Sequence, residues 1–345
     1  MNLEKRMLAE LPLVYAVTSI HMNGKDYFLA ASELEGTQSK CLLIDPQTGH
    51  CELVWDRPGG VMSLIPVPDR NGEFLSIDEF YPVFKSKNAA IYLTKLSFAG
   101  GNLHTDKKKL CDLPYTHRIT LLQEPDGLFL AAANLCRSKE FVEDWSDPGG
   151  IHIGAYGAQV SLEEVYHGLS KNHGMYTQRT QRGDVLWIGA HEGLFRCSRE
   201  DGGWKTERIL DEEISDLWMS DVDADGEDEL AVICGFHGNK AQILKRKDDA
   251  YIPMASIPLN FAHVVWLGTL QDNPYMITAS RGGEMELAIH RIMCADEGYR
   301  LQTTILDHGV GATQIAVVSA DSKTMICAAN HETGTVDLYT LTNEE

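Results

Sequence analysis

The sequence predicts an all-β chain wound as a seven-bladed β-propeller, with the N-terminal strand closing the last blade. Two observations carry this. A short apolar segment ending in small and polar residues recurs seven times: YFLAASE (27–33), EFLSIDE (73–79), LFLAAAN (128–134), VLWIGAH (185–191), LAVICGFH (230–237), YMITASR (275–281) and TMICAANH (324–331). These segments begin roughly 45–57 residues apart, the interval of four-stranded blades with loop insertions. An outer-strand segment also repeats, and it is missing after the last blade while a match to it stands at the N-terminus.

Taken in order, EKRMLAELP (4–12) matches KKLCDLP (108–114) and MASIP (254–258), and it precedes the first inner strand, VYAVTSI (14–20). It is therefore expected to be the outer strand of blade seven and to remove that blade's open edge. CELVWDRPG (51–59), KKLCDLPYT (108–116), KTERILDEE (205–213), IPMASIPLN (252–260) and RLQTTILDH (300–308) take the same outer role, with QVSLEEVYHG (159–168) in an irregular third blade. Alternation is weak in the second strands, as it should be where both faces pack against neighbouring blades. The turn between second and third strands is long in blade two (80–88) and longest in blade three (135–149), which marks candidate rims or lids. The last third strand is VDLYTLT (336–342), so all of 1–345 reads as a single propeller domain.

The central blade carries DVDADGEDELAV (221–232) between ISDLWM and ICGF. Asp221, Asp223 and Asp225 alternate, Gly226 turns the chain and Glu229 follows, so their oxygens can wrap one hard cation, with calcium expected. This stretch resembles the FG-GAP/VCBS type of propeller repeat, whose acidic loop joins the first two strands of a blade.

Six of the thirteen histidines fall at two equivalent blade positions. His117, His173 and His263 open inner strands; His191, His237 and His331 end second strands. Both positions are expected on one face near the axis. Imidazole is the commonest ligand of zinc, manganese or iron and the usual acid/base at neutral pH. The expectation is a divalent transition metal held by His191, His237 and His331, with His117, His173 and His263 as acid/base groups beside it. Arg281 is the expected clamp for an acid group, and Tyr176 a further proton carrier. Glu33, Asp78, Glu79 and Asn134 end second strands of other blades and are expected to hold substrate, with Trp145 of the long insertion stacking on a sugar ring. A water-filled polar channel lining is the plainer reading of the same histidines.

A net charge of −20 and a pI near 5.0 argue against nucleic acid or an anionic membrane as partner. Eight scattered cysteines without a CxxC read as free thiols. The first residues carry no cleavable apolar run, so a cytoplasmic protein is expected. Propellers with histidines at the channel mouth resemble the carbohydrate lyases and dehydratases, including oligogalacturonate lyases and aldos-2-ulose dehydratases. The resemblance implies a small-molecule carbohydrate substrate and a metal that acidifies a C–H next to a carbonyl. The alternative is a non-catalytic scaffold binding a protein or peptide on that face.

Overall fold

The computed structural model of the chain describes residues 2–36, 38–81, 85–248, 250–295, 297–320 and 323–342. Part of the 80–88 turn (82–84) lies outside these residues. The described residues form strands only, in seven four-stranded antiparallel sheets. Strand β1 (Asn2–Glu10) is followed by blade one, β2 (Val14–Met22), β3 (Lys25–Ser32), β4 (Cys41–Ile44) and β5 (Cys51–Trp55). Blade two is β6 (Ser63–Pro66) to β9 (Asn102–Asp112), and blade three runs from β10 (Thr116–Glu124) to β13 (Glu163–Leu169). Blade four is β14 (Gly174–Gln178) to β17 (Gly203–Leu210), and blade five is β18 (Ile214–Ser220) to β21 (Ala250–Pro258). Blade six comprises β22 (Ala262–Leu270), β23 (Asn273–Ser280), β24 (Leu287–Met293) and β25 (Arg300–Asp307). Blade seven comprises β26 (Ala312–Ala320), β27 (Lys323–Asn330), β28 (Thr335–Thr342) and, as its outer strand, β1.

That last pairing closes the ring as the outer-strand repeat predicts. Strand β1 runs antiparallel to β28 from Asn2 opposite Thr342 to Glu10 opposite Thr335, with a bulge between Met7 and Ala9. Each inner strand touches the next around the axis, and β26 touches β2. Between neighbouring blades lies an apolar layer, and the seven layers share the burial work. Small residues near the axis let the sheets converge. A side chain at Gly189 would meet the Ile214 carbonyl oxygen at 2.6 Å.

One feature of the inner strands sets up everything at the axis. In five of the seven the ladder slips by one residue near the start, between Val14 and Ala16, Thr116 and Arg118, Ile214 and Asp216, Ala262 and Val264, and Ala312 and Gln314. A bulge leaves one residue unpaired and re-aims its side chain. The residues so re-aimed are Tyr15, His117, Ser215, His263 and Thr313.

The described cysteines are free, and no helix is long and apolar enough to cross a membrane. Buried His290 on β24 has Nε2 at 2.9 Å from Thr278 Oγ1 and Nδ1 at 2.9 Å from Thr303 Oγ1. Burial pulls its pKa from 6.5 down to about 4. The unfolded chain therefore takes this proton at a higher pH than the folded one. Its contribution to stability is complete above the unfolded value and is lost as pH falls through the folded value, at about 1.4 kcal/mol per pH unit. Replacing His290 by Asn is expected to flatten the acid side of the stability profile by that slope, read from urea midpoints between about pH 6.5 and 4.5.

Candidate functional site

The re-aimed side chains meet at one end of the axial channel. His173, just before β14, and His237, after β19 (Glu229–Cys234), join them. His173 and His263 have ring centroids 5.0 Å apart, His173 and His237 4.7 Å, His237 and His263 4.9 Å, and His117 and His173 4.4 Å. His173, His237 and His263 each offer a ring nitrogen, and the three nitrogens lie within 4.8 Å of one another.

Hydrogen bonds to backbone settle two tautomers. A carbonyl only accepts, so His173 donates from Nδ1 to Ser215 O at 2.8 Å, and His263 donates from Nδ1 to Thr313 O at 2.9 Å. Nε2 of each therefore carries the lone pair. The Tyr15 hydroxyl lies 3.3 Å from both His117 Nε2 and His263 Nε2. Since His263 Nε2 can only accept, Tyr15 donates to it, and His117 Nε2 donates to Tyr15. His173 Nε2, His117 Nδ1 and His237 Nδ1 are buried without a partner. An unsatisfied buried nitrogen costs free energy, so such atoms call for an explanation in function.

All four imidazoles are held neutral. Burial is the main cause for His117, His173 and His263, which sit well below 6.5, with Arg118 and the neighbouring histidines acting in the same direction. Burial, then Arg281 and Arg118, brings His237 down to about 4. Burial also lifts the Tyr15 phenol to about 12. On the channel wall, burial pushes Asp216 up to about 6 against the pull of Arg118. Neutral imidazoles fit a zinc-, manganese- or iron-type ion, with His173 and His237 each offering an unpartnered nitrogen and His263 Nε2 exchanging its hydrogen bond from Tyr15 for the metal.

A cavity of about 480 Å³ runs along the inner strands, and of the four histidines it is His263 that lines it. Arg118, Asp216, His263 and Gln314 line it, with Thr18 and Thr120 and the aromatic rings of Tyr176, Trp218 and Trp266. The other side of the histidines is covered, where an open mouth was expected. Phe80 packs on His117 at 5.3 Å, Phe236 on His173 at 5.8 Å, and Phe261 stacks on His237 at 4.6 Å. Bulged residues aim inward, and the rings of adjoining loops close over them.

The structure divides the sequence-predicted residues into two groups. It brings together His117, His173, His237 and His263. It places His191 and His331 with other partners. His191 is exposed, with Nδ1 2.8 Å from Glu213. His331 lies 2.7 Å from Glu33 through Nε2, and Arg281 donates to its Nδ1 at 3.0 Å and to Glu332 at 3.0 Å. Glu33, His331 and Arg281 thus tie blades one, seven and six together. The metal set His191, His237 and His331 is consequently not one cluster, because only His237 points to the axis. Asp78 pairs with Lys107, which stands 3.4 Å over the Trp55 ring. Glu79 accepts from Tyr92 at 3.3 Å. Asn134 accepts from Gly150 N at 2.9 Å and donates to Cys136 O at 3.0 Å. These three serve their own blades and do not line the cavity. Trp145 lies beneath Lys139 and 6.1 Å from Phe236. Tyr176 does line the channel, but it donates to Met219 O at 2.9 Å, and burial raises its phenol to about 12. Sequence reasoning missed Tyr15, Arg118 and Asp216. Aligning VYAV, THRI, ISDL and AHVV as inner-strand starts would have put Tyr15 in the column of His117 and His263.

In the acidic loop the positive charge is that of Lys245. Its Nζ reaches Asp223, lies 2.6 Å from Asp225 and 3.2 Å from Glu229, and Tyr299 donates to Asp223 at 2.6 Å. Asp221 accepts from Gly226 N at 2.9 Å. Lys245→Met leaves these carboxylates uncompensated, Glu229 being almost fully buried. A loss of about 3 kcal/mol is expected, as for breaking a buried ion pair from one side. Calcium is expected to restore part of it, because the freed oxygens suit a hard cation. Melting curves of both forms with calcium and with chelator measure this; an unshifted variant overturns it.

The arrangement belongs to the seven-bladed propellers, a class defined by fold and not by chemistry. Within it, the chain is similar to yeast (Saccharomyces cerevisiae) Sqt1, at 12% identity and TM-score 0.55, over 94% of this chain and 83% of that one. It is also similar to a putative 6-phosphogluconolactonase from Bacteroides fragilis, at 12% identity and TM-score 0.56, over 95% and 94% of the two chains. At such identity the likeness is one of fold. No protein-family model and no curated sequence matches the chain, so the likeness to the FG-GAP/VCBS repeat rests on residues 221–232 alone.

Proposed function

We propose that the protein is a metal-assisted lyase or dehydratase acting on a carbohydrate or sugar acid in its axial channel. The observation that carries this is the trio His173, His237 and His263, neutral and mutually within ligand reach, one of which, His263, lines a cavity of about 480 Å³. A cavity of that size falls within the usual range of small-molecule sites. The trio would hold a divalent transition metal, which supplies Lewis acidity toward a carbonyl or carboxylate oxygen. The chain's own groups do the rest. Tyr15 and His117 hold a relayed proton beside His263, and Trp218 and Trp266 give the cavity apolar walls for a sugar ring.

The test is the metal content of the purified protein by mass spectrometry, followed by elimination assays on uronides and keto-sugars. One equivalent of zinc, manganese or iron and a conjugated carbonyl product are expected. A protein with no such ion, and no stabilisation when one is added, overturns the reading. A scaffold role is favoured by one feature, the exposure of Phe141 and Val142 on the long blade-three loop, at 62% and 41%.

A further inference from the structure

The channel wall carries two ionic side chains besides its histidine, and they act on each other through their fields but form no ion pair. Asp216 is half-buried and its Oδ2 accepts from Val265 N at 3.0 Å. Arg118 follows the bulged His117 and is turned onto the cavity. Its guanidinium donates to the His117 carbonyl at a long 3.3 Å. Among the described residues no carboxylate is paired with it.

That is unusual in this protein. With fifty acidic residues against thirty lysines and arginines, the cations near the axis elsewhere find acidic partners, as Arg281 does in Glu332 and Lys171 in Glu213. A partly buried guanidinium has five donors in a rigid fork, and Arg118 feels the field of Asp216 without an ion pair to it, so the fork stays open to an anion. The fork matches the two oxygens of a carboxylate. The threonine hydroxyls and indole rings further along the wall suit the rest of a sugar.

We propose that Arg118 binds the carboxylate of an acidic sugar, so that the channel's substrate is a uronic or aldonic acid rather than a neutral sugar. This rests on reading the channel as a carbohydrate site. It assigns the clamp to Arg118, since Arg281 is already held by His331 and Glu332. Orientation follows from the position of the guanidinium. An acid group on Arg118 lies in the cavity that His263 also lines, which turns the carbon next to the carboxylate toward the imidazole to which Tyr15 donates.

The experiment is calorimetric titration of chelator-stripped protein with D-glucuronate, D-glucose and D-glucose 6-phosphate at fixed ionic strength, for the parent, Arg118→Gln and Arg118→Lys. The parent is expected to bind glucuronate roughly 10- to 100-fold more tightly than glucose, the worth of a hydrogen-bonded charge. Arg118→Gln is expected to lose that preference and Arg118→Lys to keep part of it. Should Arg118→Gln fail to fold, the preference of the parent for glucuronate over glucose decides alone. Equal binding of the three sugars, binding of none, or retention of the preference in Arg118→Gln overturns the proposal. Tighter binding of glucose 6-phosphate than of glucuronate overturns the carboxylate and assigns the arginine to phosphate. Because the titration is done without metal, a protein that proves metal-free still answers it, and a metal-loaded protein that ignores glucuronate separates the two readings.

Discussion

Deleting residues 1–12 is expected to abolish cooperative folding or to leave an aggregating chain. Strand β1 supplies the whole outer ladder of blade seven. Leu8 and Leu11 from this segment are buried in the layer between blades seven and one, at 7% and 0% exposure. Burying two such side chains contributes about 3–6 kcal/mol. Lys5 adds an ion pair of 2.5 Å to Asp307 of blade six. Against a typical net stability of about 5–15 kcal/mol, losing these together with the ladder removes most of the margin. The deletion also bares β28 as an edge whose unpaired amides can recruit another chain. Circular dichroism melts and size-exclusion profiles read both effects. Leu11→Ala, expected to cost about 2–5 kcal/mol, tests the same seam in a chain that keeps its ladder. A truncated protein that melts like the parent would mean that the ring holds without this strand.

The fold was legible because a propeller repeats itself. Seven segments such as LFLAAAN and VLWIGAH carry the same taper toward small residues, imposed by sheets that converge on an axis. The outer strand at the far terminus was legible for the same reason, since only one segment lacked a blade. The site was legible in residue type and not in partition. His117, His173, His237 and His263 were on the axis as expected, but nothing in the sequence separates His237 from His191 or His331. All three end second strands, and each turns to what lies beside it, the imidazole trio for one and Glu213 or Glu33 for the others. The bulges were invisible because a one-residue slip leaves no signature in hydrophobic alternation. They are what brings Tyr15 to the site and sets Arg118 on the wall.

Replacing His173 or His263 by alanine is expected to remove the metal and, with it, turnover. Each would be one of three ligands in the proposed centre, so its loss should exceed the 10- to 100-fold cost in affinity of disturbing a group that merely supports a ligand. The fold should survive, weakened. His173→Ala leaves the Ser215 carbonyl and His263→Ala the Thr313 carbonyl without a donor, at about 1–3 kcal/mol each. The discriminating variants are the two histidines placed elsewhere. His191→Ala removes only an exposed pair with Glu213 and is expected to keep its metal with a stability change below about 1 kcal/mol. His331→Ala breaks the link from Glu33 to Arg281 and is expected to lose about 2–3 kcal/mol while also keeping its metal. Metal content by mass spectrometry beside the melting curve of each variant separates the sets. If His331→Ala and His191→Ala lose the ion while His173→Ala and His263→Ala retain it, the ligands are the strand-end histidines and the axial trio is a buried polar plug. If all four variants keep the ion, neither set holds it.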